Sequence, residues 1–176
     1  MVTVSWCRQP AAEATAIREL LSAADDAFVP PLTDASRSTI SRAGDGPGPA
    51  SIEGYVDDCL DRPLLGAFDA GRLVGFASLE THHDSEPLAD YTPTTHVSVL
   101  VVDESARGQG IATRIYKHLL DELPDELPQS AVSTKTWSTN HAHIAILESL
   151  GFECVHRVVD DRKPGVDTVY YARRLS

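Results

Sequence analysis

Three observations predict an α/β (α+β) fold with a mixed, mostly antiparallel central sheet flanked by helices. Two pairs of β-prone runs are joined by turn signals, Asp69-Ala70-Gly71 and Lys163-Pro164-Gly165, and read as antiparallel hairpins. In the second half of the chain, β-prone runs alternate with segments of helical periodicity, and strand–helix–strand units imply parallel neighbours. The helical segments carry apolar residues on one face, so they cover a sheet rather than stand alone. A chain of 176 residues suits one domain with one sizeable core, and the expected boundaries are 1–176.

Each element has a local reason. Residues 2–7 alternate as a first strand. Residues 11–24 are rich in helix formers, with Ile17, Leu20 and Leu21 on one face. Pro30 and Pro31 end that run. Residues 33–51 hold Gly44-Asp45-Gly46-Pro47-Gly48-Pro49 and predict a surface loop. A short helix is expected over 52–60, then strands over 64–68, 73–80 and 95–102. Residues 81–94, with His82, His83 and two prolines, read as a surface loop. A helix is expected over 108–123, a strand over 131–137, and a helix capped by Asn140 that ends at Leu150, with Gly151 past its end. Strands over 152–159 and 166–174 close the chain, and the last hairpin offers an edge along which a homodimer could form.

Composition narrows the function classes. Formal net charge is −11, which argues against nucleic acid as a partner, because phosphate recognition needs a basic surface. The same charge suits a cationic acceptor, and equally suits plain solubility. Asp25, Asp26, Asp57, Asp58, Asp84, Glu86 and Asp90 crowd the loops at 25–60 and 83–94, as attractors of a cation or as solvated acids. Cys7, Cys59 and Cys154 are far apart and match neither a disulfide framework nor a zinc site. No segment has the pattern of a secretory leader or of a membrane span, so a cytoplasmic protein with no membrane partner is expected. His82 and His83, with Asp84 and Glu86, lack ligand spacing on a fixed element, so no metal is expected.

The most informative stretch is Arg107-Gly108-Gln109-Gly110-Ile111-Ala112, between a Val-rich strand and a helix. A Gly-rich turn opening a helix is an anion site, since small residues let backbone approach the ligand and the first helical N–H groups lack intrahelical partners. The dinucleotide spacing G-x-G-x-x-G and the Lys-Ser/Thr ending of a P-loop are both absent. The stretch instead resembles the Q/R-x-x-G-x-G/A signature of the GNAT superfamily of acyl-CoA N-acetyltransferases, with Arg107, Gly110 and Ala112 at the defining positions. A second block, Asn140 to Phe152 with its Leu150-Gly151-Phe152 ending, is similar to the closing helix of that family, and element order agrees over nearly the whole chain.

The resemblance implies acetyl-CoA as acyl donor and an amine of a small molecule or peptide as acceptor. It implies a splayed strand pair that binds acetyl-CoA, with backbone N–H groups of Gly108, Gln109, Gly110, Ile111, Ala112 and Thr113 on the pyrophosphate and Arg107 adding charge. It places backbone of Leu100, Val101 and Val102 along the pantetheine arm, with one N–H polarising the thioester carbonyl. It gives Asn140 a contact to the cofactor arm, and a plain N-cap role can coexist. It makes His96 the candidate base, against an inert imidazole at a strand start; Glu80 is the second candidate, and Ser98 could position a water. Leu147 stands where the family often has the Tyr that protonates the leaving thiolate, and it cannot donate a proton. Glu104 and Ala106 also depart from the family pattern. The alternative is a non-catalytic acyl-CoA-binding or regulatory module on the same fold.

Overall fold

The computed structural model describes residues 1–33 and 51–175. The Gly- and Pro-rich stretch expected as a surface loop lies, apart from its ends, outside the described residues. The strands are β1 (Val2–Trp6), β2 (Leu64–Asp69), β3 (Arg72–Glu80), β4 (Thr94–Val102), β5 (Ala131–Trp137), β6 (Glu153–Lys163) and β7 (Val166–Arg174). The α-helices are α1 (Ala14–Ala24), α2 (Ile52–Leu60), α3 (Ile111–Asp121) and α4 (His141–Ser149). The sheet runs β1-β2-β3-β4-β5-β7-β6, and β4–β5 is its one parallel pair among the described residues. This is the mixed, mostly antiparallel sheet that the hairpin signals predict.

Local chemistry sets the boundaries. The hairpin between β2 and β3 closes on Ala70 and Gly71, both at positive φ (51° and 79°), the conformation of a two-residue turn whose twist matches the strands. The Ser51 hydroxyl accepts from the Gly54 N–H and caps α2. The helix expected from residue 108 begins at Ile111, because Gly110 is left-handed (φ 74°, ψ 19°) and cannot be a helical residue.

Two apolar layers sandwich the sheet. On one face Ile17, Leu20 and Leu21 of α1 and Tyr55, Val56 and Cys59 of α2 pack on Leu73, Phe76, Val99 and Val101. On the other, Ile111, Ile115, Tyr116 and Leu119 of α3 and Leu147 of α4 pack on Leu65, Ala77, Val97, Val132 and Val169. Val97 and Val99 belong to opposite faces although strand alternation would put them together. A bulge resolves this: Val97 pairs with Leu79 and Val99 with Ser78, which leaves Ser98 as the extra residue.

The bulge sits where the sheet opens. β4 and β5 pair only from Thr94–Ala131 to Val97–Thr134, where the Thr134 hydroxyl donates to the Val97 carbonyl at 2.9 Å. Beyond that point β4 stays with β3 as far as Val102, and β5 stays with β7 as far as Trp137. A bulged strand bends and twists more strongly, so the two central strands part at Ser98 and leave a wedge between them.

Candidate active site

The wedge is a cleft of about 610 Å³. Leu100, Val101 and Val102 of β4 form one wall, and Trp137, Asn140, Ala142, His143 and Ile146 form the other. Arg107, Gly108, Gly110, Ile111 and Ala112 close its outer end. Gly108 and Gly110 have φ of 78° and 74°, and a Cβ built on either meets nothing within 4 Å. Glycine is thus required there by backbone conformation rather than crowding, and the space beside it stays open to a ligand. The N–H groups of Ile111, Ala112 and Thr113 begin a helix whose N-cap supplies no side-chain acceptor. Arg107 is exposed and donates from Nε to the Val102 carbonyl at 3.4 Å, which ties the loop to the end of β4.

Asn140 lines the cleft and precedes α4, but its side chain does not cap the helix. Its Nδ2 instead donates to the Thr136 hydroxyl at 3.0 Å. Ala24, Ala27 and Phe28, from the end of α1 and the turn after it, also line the cleft. Phe28 reaches Trp137 with ring centroids 5.4 Å apart.

At the closed end, where β4 and β5 part, lies a buried polar cluster. Glu80 is opposite His96 across the β3–β4 ladder. Glu80 Oε2 is 3.1 Å from His83 Nδ1, and His83 Nε2 is 3.2 Å from the Ser85 hydroxyl. The His83 and His96 rings stack at 3.8 Å and 7°. His96 Nδ1 is 2.8 Å from the Ser133 hydroxyl, which is 2.8 Å from that of Thr94. His96 is fully buried, and its Nε2 has no hydrogen-bond partner among the described residues. Burial, then the charges of His83, Lys135 and Arg62, hold its pKa well below the usual imidazole range, so the ring is neutral. The Ser98 hydroxyl donates to the Ser78 carbonyl at 3.0 Å and accepts from Arg62 Nη1 at 3.3 Å.

Leu147, at the position of the family's tyrosine, is fully buried in the core. The phenol that reaches this wall comes from α3: Tyr116 Oη is 2.8 Å from His143 Nε2, and burial raises its pKa. Burial pulls the His143 imidazole down to about 4. The Cys7 and Cys59 thiols are pushed up by burial, to about 11 and about 12, which makes both poor nucleophiles.

Of the residues the sequence singles out, Leu100, Val101, Val102, Arg107, Gly108, Gly110, Ile111, Ala112 and Asn140 line the cleft, whereas Gln109 and Thr113 flank it. His96, Glu80 and Ser98 do not line it and sit buried beyond its closed end. His83, expected on a surface loop, is 2% exposed, because Glu80 and the His96 ring draw it inward. Phe28, Trp137, Ser133 and Arg62 were missed; nothing in their local sequence marks them, since each is brought in by a distant segment. Among the described residues, no group of three or more His, Cys, Asp or Glu side chains could hold a metal ion, and no helix is long and apolar enough to cross a membrane.

The acetyltransferase (GNAT) family model matches residues 31–152, which run from the end of the first helical region through the Arg107–Ala112 loop to the Leu-Gly-Phe block. This chain belongs to the GNAT acetyltransferase family. No curated protein matches the sequence. The fold is shared with a candidate acetyltransferase from Salmonella typhimurium solved with its cofactor acetyl-CoA, at 17% identity and TM-score 0.69, covering 99% of this chain and 94% of that one. An N-acetyltransferase from Staphylococcus aureus is similar at 17% identity and TM-score 0.68, covering 100% of this chain and 99% of that one. The ribosomal-protein-S18-alanine N-acetyltransferase from Escherichia coli is similar at 18% identity and TM-score 0.66, covering 100% of this chain and 95% of that one. At such identities the likeness is one of fold.

Proposed function

We propose that this GNAT chain, as one domain spanning residues 1–176, transfers the acetyl group of acetyl-CoA to a primary amine by direct attack. One observation carries the reading: a cleft opens between parted strands, with a glycine-built helix start at its outer end and, beyond its lining, a buried Glu80–His83–His96 cluster near the point where the strands part. Left-handed Gly108 and Gly110 with open space beside them, and a helix start without a side-chain cap, fit a pyrophosphate. When bound, acetyl-CoA supplies an activated acetyl thioester. The backbone of residues 108–113 would hold its pyrophosphate, with Arg107 beside it. The edge of β4 at Leu100, Val101 and Val102, unpaired with β5, would hold the pantetheine arm, and an N–H on that edge would polarise the thioester carbonyl. Asn140 would contact the arm from the opposite wall.

The acceptor nitrogen would meet the thioester at the end of the cleft nearest this cluster. It forms the new N–C bond as the C–S bond breaks and the electron pair goes to sulfur. The amine proton passes to the acceptor-end cluster. Neutral His96 is the candidate base, backed by Ser133 on Nδ1, and Glu80 with His83 is the second route. Ser98 would position a water or the acceptor. No tyrosine replaces Leu147 on α4, and a thiol with an ordinary pKa near 8.5 can take its proton from solvent. Thiol release from acetyl-CoA across a panel of amines tests the reading; no acetyl-CoA binding at millimolar concentration would sink it. The proposed protein acts in the cytoplasm, with no nucleic acid, membrane or metal partner, and β6 as the edge available to a homodimer.

Buried Leu147 favours a second reading, a non-catalytic acyl-CoA-binding module. Binding of acetyl-CoA without turnover of any amine, and without effect of His96→Ala or Glu80→Ala on any readout, would select it.

A further inference from the structure

The protein is strongly acidic, yet around His96 the carboxylate opposite it, Glu80, is bonded to His83, and Arg62 and Lys135 bring positive charge. Arg62 follows α2 and is half-buried, with its Nη1 3.3 Å from the Ser98 hydroxyl. That is the long end of an N–H···O bond, to a neutral partner. Among the described residues no carboxylate lies within ion-pair distance of this guanidinium. Asp58, one helical turn earlier, is engaged by other contacts. Glu80 serves His83, and Lys135 adds a second positive charge near His96. A guanidinium in a partly desolvated site normally faces a carboxylate, because its fork of donors matches the two oxygens. Beside it, His96 Nε2 is buried and unpartnered. A buried polar atom with no partner is rare enough to call for a ligand or ordered water. His96 and Ser98 flank Val97 on β4, at the bulge. A small molecule lying between them can present an amine to one and an anion to the other.

We propose that the acceptor is an amine carrying its own carboxylate, a free amino acid or close analogue, and that Arg62 binds the carboxylate while the amine lies at His96. This rests on the acetyltransferase reading above and narrows its acceptor. It reverses the expectation from net charge: Asp26, Asp57, Asp84, Glu86 and Asp90 are exposed, whereas Arg62 and Lys135 are charges that bear on His96. Arg62 is a specificity residue and takes no proton in the reaction.

The test is a thiol-release assay on the full chain with free L-amino acids, the matching amino-acid amides, simple alkylamines and short peptides. At least one free amino acid is expected to exceed its amide at least tenfold in kcat/KM. Arg62→Met is expected to raise KM for that amino acid at least tenfold and to collapse the acid-over-amide preference, and Arg62→Lys to restore part of it. Acetyl-CoA affinity by calorimetry checks that the variants are folded. Should Arg62→Met not fold, Arg62→Gln, which keeps a polar side chain without the charge, carries the same test. Equal use of acids and amides, preference for peptide amines, or a preference that survives Arg62→Met overturns the proposal. A readout besides turnover separates it from the transferase reading: calorimetry of free amino acids with the protein saturated in coenzyme A. Heat that is lost in Arg62→Met, with no thiol release from any acceptor, upholds the Arg62 site and sinks the transferase. No heat and no thiol release overturns both.

Discussion

The two ends of the cleft are made of different material. The outer end is backbone: two left-handed glycines, the first N–H groups of α3 and a strand edge, all within residues 100–113. The closed end is side chain: Glu80, His83, Thr94, His96, Ser98 and Ser133, gathered from three strands and a loop, with Arg62 from the end of α2. Backbone groups bind any ligand of suitable shape and charge. Side chains select one chemistry. On the proposed function, donor and acceptor recognition are then separable, so substitutions should damage one and spare the other.

The largest expected effect breaks the closed end alone. Glu80→Gln or His96→Gln should lower kcat by about 100-fold or more, the ordinary contribution of a general base, while calorimetry finds acetyl-CoA binding unchanged. Turnover that persists in both variants would make this end structural. Next is Gly110→Val, which forces a branched side chain into a left-handed residue at φ 74°. A non-glycine residue there costs about 1–2 kcal/mol, so acetyl-CoA affinity should fall about tenfold or more, with acceptor preference intact; undiminished binding would remove the loop from the donor site.

Ser133→Ala leaves buried His96 Nδ1 without its 2.8 Å partner. An orphaned buried polar group costs about 1–3 kcal/mol, readable as a lower urea midpoint at pH 7.5; an unchanged midpoint would mean the bond is dispensable. The pH dependence follows from His96 and His143, both held below the ordinary imidazole value of 6.5, His143 at about 4. A depressed imidazole pKa means the unfolded chain binds protons first. Stability is therefore full above about pH 6.5 and declines as pH falls toward 4. Urea midpoints between pH 8 and 4 check this, and His143→Phe should flatten the curve while wild-type declines. The smallest effect is Asn140→Ala, which removes one hydrogen bond to Thr136. It should cost about 1 kcal/mol of stability, and a larger loss in acetyl-CoA affinity than in stability would add the cofactor contact to the structural one.

The outer end was legible because its logic is local. A Val-rich strand, a Gly-x-Gly turn and a helical period fall in one stretch, and glycine marks the left-handed residues directly. The hairpin at Asp69-Ala70-Gly71 was legible for the same reason. The closed end was legible only in part. His96, Ser98 and Glu80 could be counted along their strands, but strand counting assumes unbroken alternation, and the bulge at Ser98 breaks it. His83 looked like loop surface, since its burial is set by a ring and a carboxylate from two strands.

The sequence by itself determined the fold class, the hairpins, the turn that opens α3 and the family, because each rests on spacing within a few dozen residues. Tertiary structure alone decided where β4 and β5 part, that His83 stacks on His96, that Phe28 meets Trp137, and that Arg62 reaches the Ser98 hydroxyl with no carboxylate at ion-pair distance among the described residues. Those outcomes depend on contacts between segments far apart in the chain. Their energetics come from burial and hydrogen-bond satisfaction, which no local pattern of residues encodes.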